Sequence, residues 1–180
     1  EDMDVKCTSF QHEKPNLHNC NNCNLIFSQF INTKLENLYS DVVDETYINQ
    51  IPYKKKYFLN FLLEIKDYIN ENSKVFEIGS YYGVLGNEIN KITKNYEGIE
   101  LSSHASEYSR KQFNLKIFNE KIDDFLSKKE ELEVIIMSHV IEHLDDPFSV
   151  IKNLENKMNK KSILIFTTYN MDSLVAKTLG

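Results

Sequence analysis

The sequence predicts an α/β fold built on a doubly wound parallel sheet, and three observations predict it. The apolar period changes from helical to strand-like after Glu71-Asn72-Ser73. Beyond that point five short apolar runs alternate with segments of helical spacing, the pattern of βαβ units with right-handed crossovers and helices on both faces of the sheet. The first of those runs ends on Gly79, where a chain leaving a buried strand can turn tightly.

The elements follow in order. From Thr33 to Asn70 apolar residues recur at helical spacing, through Leu35, Leu38 and Tyr39 and then Tyr57, Phe58, Phe61, Leu62, Ile65 and Ile69. Two helices are expected there, broken near Ile51-Pro52 because proline is tolerated only in a first helical turn. Lys74–Ile78 reads as the first core strand, Tyr82–Ile92 as a helix and Tyr96–Leu101 as the second strand. A helix over Ser103–Phe113 is opened by the Ser102/Ser103 capping signal. Leu115–Phe118 is the third strand, Asp123–Lys129 a short helix and Leu132–Met137 the fourth strand; Pro147–Met158 is a helix with proline in its first turn, and Ser162–Thr167 the fifth strand. Three regions result: a cysteine-containing module over residues 1–32, a helical linker or lid over 33–72, and the core over 73–180.

Composition narrows the function. With 180 residues the chain has room for one ordinary domain and a small appendage, and 41% apolar and 12% aromatic residues suffice for a real core. A net charge of −6 disfavours a nucleic-acid partner, which calls for a basic face. The longest apolar runs, Val134–Met137 and Ile163–Phe166, are far short of the ~20 residues of a membrane span. No signal pattern opens the chain, so cytoplasm is the expected location. The first residue is not Met and Gly180 follows no closing element, which is expected of a piece of a longer protein.

All three cysteines lie in the first region, as Cys7 and Cys20-Asn-Asn-Cys23, interleaved with His12 and His18. Two cysteines two residues apart resemble the knuckle of a zinc ribbon, where turn N–H groups favour thiolate ligands. Cys7 is a third ligand, and His18 or His12 is a candidate fourth. The alternative is three reduced thiols without metal; a disulfide is less favoured in a chain without a secretion signal.

In an open parallel sheet ligands bind beyond the carboxyl ends of the strands, where strand order reverses. The loop after the first core strand reads Glu77-Ile78-Gly79-Ser80-Tyr81-Tyr82-Gly83, the pattern E-x-G-x-x-x-G. It lacks the G-x-G-x-x-G spacing that sets a pyrophosphate on a helix N-terminus. Instead an acidic residue stands two positions before the first glycine, and the second glycine follows four later. About 20 residues on, Glu100 stands at the end of the second strand, where a carboxylate can accept from both hydroxyls of a ribose; otherwise it is a surface residue facing the next helix start. After the fourth strand comes His139-Val140-Ile141-Glu142-His143-Leu144-Asp145-Asp146-Pro147.

Taken together, these motifs resemble the class I S-adenosylmethionine-dependent methyltransferases, whose first motif is D/E-x-G-x-G-x-G and of which a large subgroup carries an E-H-(L/V)-x-D-P run. Tyr81 stands where the middle glycine of that motif usually lies. EIGSYYG is similar to variants found in sugar methyltransferases, many of which carry an N-terminal zinc module. The resemblance covers roughly residues 46–180 and implies a Rossmann-like fold and S-adenosylmethionine as cofactor. Glu77, Gly79, Ser80 and Gly83 would then border the amino-acid moiety, and Glu100 and Leu101 the ribose. Ile122 would cover the adenine, Lys121 standing where the family often has Asp. Ser138 and His139 would complete the cofactor site.

Methyl transfer to a hydroxyl also needs a base, and His139, Glu142 and His143 are candidates, with His139 first and His143 second. His104 reads as a surface residue. The implied function is methylation of a small molecule, a sugar or nucleotide-sugar above others. The competing readings are an NAD-dependent sugar-modifying oxidoreductase on a similar fold and a non-catalytic cofactor-binding module, the latter because the sixth and seventh strands of the fold are missing.

Overall fold

Five strands pair in parallel in the computed structural model, which describes residues 17–22, 26–28, 43–170, 173, 174 and 178. The chain divides into two compact units, Glu1–Lys34 with Tyr169–Gly180, and Leu35–Thr168. In the first unit β1 (Leu17–Asn19) pairs antiparallel with β2 (Ile26–Ser28), His18 opposite Phe27.

The second unit opens with α1 (Glu45–Asn49), capped by Asp44, whose carboxylate accepts from the Tyr47 N–H at 2.8 Å. Gln50 ends α1 and precedes α2 (Ile51–Glu64), which carries Pro52 in its first turn and so breaks where the sequence predicts. Of the expected helical region, residues 33–42 lie outside the described residues. The core strands are β3 (Val75–Ile78), β4 (Tyr96–Ile99), β5 (Ile117–Phe118), β6 (Leu132–Ser138) and β7 (Met158–Thr167), in the order β5-β4-β3-β6-β7. Strand order therefore reverses between β3 and β6, which pair from Val75–Val134 to Ile78–Met137. The intervening helices are α3 (Val84–Ile89), α4 (Ser103–Phe113), α5 (Ile122–Ser127) and α6 (Pro147–Glu155).

Side chains alternate across the central strands, and each face of the sheet carries its own apolar cluster. On one face Val75, Tyr96, Val134 and Ile136 pack with Phe61 and Leu62 of α2, Ile65 at its C-cap, and Leu85 and Ile89 of α3. On the other, Phe76, Ile78, Ile135 and Met137 pack with Phe125 and Leu126 of α5 and Leu154 of α6. Fully burying one such side chain contributes about 1.5–3 kcal/mol, so the two layers hold the carboxyl ends of β3, β4 and β6 in fixed register.

Several boundaries differ from expectation. The helix expected over Tyr82–Ile92 covers only Val84–Ile89, because Tyr81 and Gly83 adopt left-handed backbone, at φ 45° and 73°, and delay its start. The helix after Pro147 ends at Glu155, and β7 begins at Met158, four residues before the expected Ser162. The third core strand shortens to Ile117–Phe118, and α5 starts at Ile122, one residue early. Ser103–Phe113 is as expected, with the Ser102 hydroxyl accepting from the Ala105 N–H.

Candidate functional site

Three loops leave the carboxyl ends of β3, β4 and β6, and the first is bent by three left-handed residues, Gly79, Tyr81 and Gly83. A Cβ on Gly79 would overlap Cγ2 of Val140, so the loop after β6 lies directly against the loop after β3. A Cβ on Gly83 would come within 2.9 Å of both the Ser109 side chain and Leu115 Cδ1, which fixes the approach of α4. Tyr81 takes without glycine's freedom the conformation a middle glycine would supply. Left-handed backbone costs an L-residue about 1–2 kcal/mol, and contacts at every polar group of Tyr81 offset it. Its N–H donates to Glu100 Oε2 at 2.7 Å, its carbonyl accepts from Ser109 Oγ at 3.0 Å, and its hydroxyl donates to Asp44 Oδ2 at 2.9 Å.

Glu100 is buried at 8% exposure and is not a surface residue. Its second oxygen accepts from the Ser102 N–H at 2.8 Å, at the start of α4. Burial pushes its carboxyl above the usual range, partly opposed by the N–H groups of Ser102, Tyr81 and Leu101. A carboxylate has about four acceptor positions, so lone pairs remain for a diol. The Asn119 amide donates to the carbonyls of both Glu100 and Leu101 at 2.8 Å, tying the loop after β4 to the loop after β5.

Glu77, at 3% exposure, accepts from the Tyr96 hydroxyl at 2.5 Å. Burial pushes its carboxyl up to about 8; the Tyr96 hydrogen bond opposes this and the Glu100 charge adds to it. Above the loop, Tyr47 of α1 stacks on Tyr82 at 5.4 Å and meets Tyr81 edge-on at 4.6 Å. Burial, then the charges of Glu77, Asp44 and Glu100, push the Tyr47 phenol well above its ordinary value. Tyr82 Oη accepts from the Asp44 N–H at 2.8 Å and lies 3.3 Å from His104 Nδ1. His104 is thus half-buried against Tyr82, contrary to the surface position expected.

The result is a cluster of three carboxyl groups and tyrosine rings, with the His104 imidazole beside Tyr82 and the Lys54 ammonium over the Tyr47 ring at 5.2 Å. Electronegative and aromatic surroundings fit a ligand bearing cationic ammonium and sulfonium groups. Ser80 Oγ is buried in the same loop without a hydrogen-bond partner, an open position for a polar ligand. The donor set fits S-adenosylmethionine, whose amino-acid end would be held by the loop of Glu77 and Ser80 and whose ribose by Glu100.

The other expected positions are distributed around this centre. Ser138 Oγ lies 3.2 Å from Thr167 Oγ1, and the His139 N–H donates to the Thr167 carbonyl at 3.0 Å. His139 has φ 54°, and its ring nitrogens lie 3.2 Å from Glu142 Oε1 and 3.4 Å from the Tyr57 hydroxyl. His143 is exposed on a short 3-10 turn over Ile141–His143, its N–H bonded to the Val140 carbonyl. Ile122 opens α5, partly buried against the second apolar cluster. In the sequence Tyr57 reads only as part of a helical apolar stripe and Asn119 carries no local signal, while Asp44 is visible as an Asp before a helix, an N-cap signal. In the first unit His18 lies on β1 and Cys20 follows it, while Cys7 and Cys23 lie outside the described residues. Among the described residues no group of three or more His, Cys, Asp or Glu is arranged to hold a metal ion.

Comparison with known proteins agrees with this geometry. The chain is 25% identical over 120 residues to a ubiquinone biosynthesis O-methyltransferase of Actinobacillus pleuropneumoniae serotype 7, covering 58% of this chain and 51% of that protein. The chain spans about half the length of the curated relatives it matches. Its fold is shared with a possible histamine N-methyltransferase of Thermotoga maritima, at TM-score 0.60, 22% identity and coverage of 73% of this chain and 61% of that one. A SAM-dependent methyltransferase of Archaeoglobus fulgidus matches at TM-score 0.55 and 18% identity, over 67% of this chain and 57% of that one. A family model described as a methyltransferase domain matches residues 47–179, well over half of the sequence, and the chain therefore belongs to that methyltransferase family.

Proposed function

We propose that the protein is an S-adenosylmethionine-dependent methyltransferase acting on a small molecule, a sugar or nucleotide-sugar above others. The observation that carries the cofactor reading is the tyrosine-lined loop of Tyr81, bonded to the buried Glu100 carboxyl, at the point where strand order reverses. Bound there, S-adenosylmethionine would supply an activated methyl group, its sulfur taking the electron pair of the broken carbon–sulfur bond as a neutral thioether. The chain's own task is to position and to take a proton. Glu100 and the Tyr81 loop orient, and His139 at the end of β6 is the base. The sugar reading rests on the likeness of EIGSYYG to sugar methyltransferases, and the curated relative named for O-methylation supports an oxygen acceptor.

The same reading gives residues 1–32 as a structural zinc module with Cys7, Cys20, Cys23 and His18 as ligands, supported by Cys20 standing where the chain leaves β1 for β2. It places the protein in the cytoplasm, with neither nucleic acid nor membrane as partner. The net charge of −6 supports this, and no helix among the described residues is long and apolar enough to cross a membrane.

Calorimetric titration with S-adenosylhomocysteine and, separately, NAD tests the reading. Binding of the first and not the second is expected. Binding of NAD alone would favour the oxidoreductase, and binding of neither would remove the cofactor assignment.

A further inference from the structure

The geometry points to a hydrogen-bonded relay on the acceptor side: we propose that Glu142 is a positioning residue that holds neutral His139 with its proton on Nδ1, leaving Nε2 to take the proton of an acceptor hydroxyl at the place marked by Tyr57. The proposal rests on the methyltransferase reading for its purpose, but its geometry stands alone. His139 Nδ1 lies 3.2 Å from Glu142 Oε1, and Nε2 lies 3.4 Å from the hydroxyl of Tyr57, 82 residues away on α2. A carboxylate only accepts hydrogen bonds, so the nitrogen facing it carries the proton, and in a neutral imidazole the other nitrogen is then an acceptor. A phenol hydroxyl, which can donate, faces that acceptor. Each atom of the chain Tyr57 O–H, His139, Glu142 therefore has a partner of the right sense.

The ring is also held by its backbone. His139 sits in left-handed conformation at φ 54°, a state that costs a residue about 1–3 kcal/mol and collects at functional sites. Its N–H is fixed by the Thr167 carbonyl on β7, and the next residue, Val140, fills the space a side chain at Gly79 would need. The imidazole is thus anchored beside the cofactor loop, while Tyr57 reaches it from the opposite element. Distances at the long end of hydrogen bonding are expected in a site that tightens when substrate arrives.

In the reaction the acceptor's O–H bond breaks, its electron pair stays on the oxygen that takes the methyl group, and the proton passes to Nε2. The imidazolium so formed lies against the Glu142 carboxylate and releases its proton to solvent afterwards. The Tyr57 hydroxyl marks, 3.4 Å from Nε2, the position an acceptor hydroxyl takes, so the site suits oxygen acceptors, which must lose a proton.

The test is the tautomer of His139, read by long-range nitrogen–proton correlation spectra of the full 15N-labelled chain, with the His139 signals identified by their loss in His139→Gln. The wild type should show the Nδ1–H form. Glu142→Ala should lose it in favour of Nε2–H, Glu142→Gln should retain it through its remaining acceptor oxygen, and Tyr57→Phe should retain it while shifting the Nε2 resonance. An Nε2–H majority in the wild type, or a tautomer unchanged in Glu142→Ala, overturns the relay. Titration of the same sample with S-adenosylhomocysteine is scored separately: absence of binding overturns the methyltransferase reading, whereas the tautomer decides the relay.

Discussion

Replacing Glu77 with Gln should change how stability depends on pH. In the folded chain burial raises the Glu77 carboxyl from 4.5 to about 8. Between those values the folded state holds a proton that the unfolded state has released, so unfolding free energy falls as pH rises, by about 1.4 kcal/mol per pH unit. The stabilisation is fully present below pH 4.5 and is lost as pH climbs through about 8. From pH 5 to pH 8 the loss is at most about 4 kcal/mol, or roughly 8–16 °C in Tm for a chain of this size. Gln mimics the protonated acid, keeps an acceptor for the Tyr96 hydroxyl and does not titrate. Its stability relative to wild type should therefore be near zero at pH 5 and grow to several kcal/mol at pH 8.5. Denaturant melts of both proteins at half-unit steps provide the measurement, and subtracting the curves removes the common titrations. Parallel curves across this range would show that Glu77 titrates at its unfolded value and would refute the account of a carboxyl kept neutral by burial.

Four further outcomes follow from the same geometry. Gly79→Ala should destabilise by about 2–4 kcal/mol, combining left-handed strain with overlap on Val140, and Val140→Ala in the same chain should recover part of it in denaturant melts. Glu100→Ala should weaken S-adenosylhomocysteine binding by about 1–3 kcal/mol, since it removes a diol acceptor and frees the Tyr81 and Ser102 N–H groups; an unchanged calorimetric affinity would exclude it from the site. His139→Ala in the full-length enzyme should lower turnover by roughly 100-fold or more while cofactor affinity stays within a few-fold; full turnover would assign the base elsewhere. Protein purified without chelator should contain one zinc per chain, and Cys20→Ser should lose it, as read by elemental analysis.

The positions of the core strands along the chain were legible because burial on both faces of a parallel sheet leaves continuous apolar runs such as Val134–Met137, and few other structures do. The loop of Glu77, Gly79 and Gly83 was legible for a different reason: left-handed backbone and close approach select glycine, so the residue type reports the conformation. Tyr81 shows where that reasoning stops. It adopts the same left-handed state through bonds to Asp44, Glu100 and Ser109, and no local pattern announces partners 19 to 37 residues away. Tyr57 was missed for the same cause: on α2 it reads as one more aromatic residue of an amphipathic helix, and only the packing brings it to His139. Helix ends were misplaced where a strand or a loop competes for the same residues. After Glu155, β7 begins early because Met158 pairs with Leu132 of β6; the ladder then shifts register and resumes at Val134–Ile163, and the polar residues between are held by the side chains of Asn159 and Ser162, a bulge that no apolar pattern announces.

The buried Tyr96 phenol has a consequence for how this sequence can change over time. Its hydroxyl sits where a methyl group on Gly86 of α3 would fall, and 2.8 Å from where one on Gly98 would lie. The two glycines are therefore tolerated for the sake of a residue neither of them adjoins in sequence, and all three positions serve the acid at Glu77. Enlarging Gly86 meets the phenol first, and enlarging Gly98 meets Ile117 Cδ1 as well as the phenol, whereas shortening Tyr96 first leaves a void and strands the Glu77 carboxyl, so each single step is disfavoured. Across descendants of this chain, positions 77, 86, 96 and 98 should therefore change together or not at all, and an alignment deep enough to score pairs should show them as one covarying group.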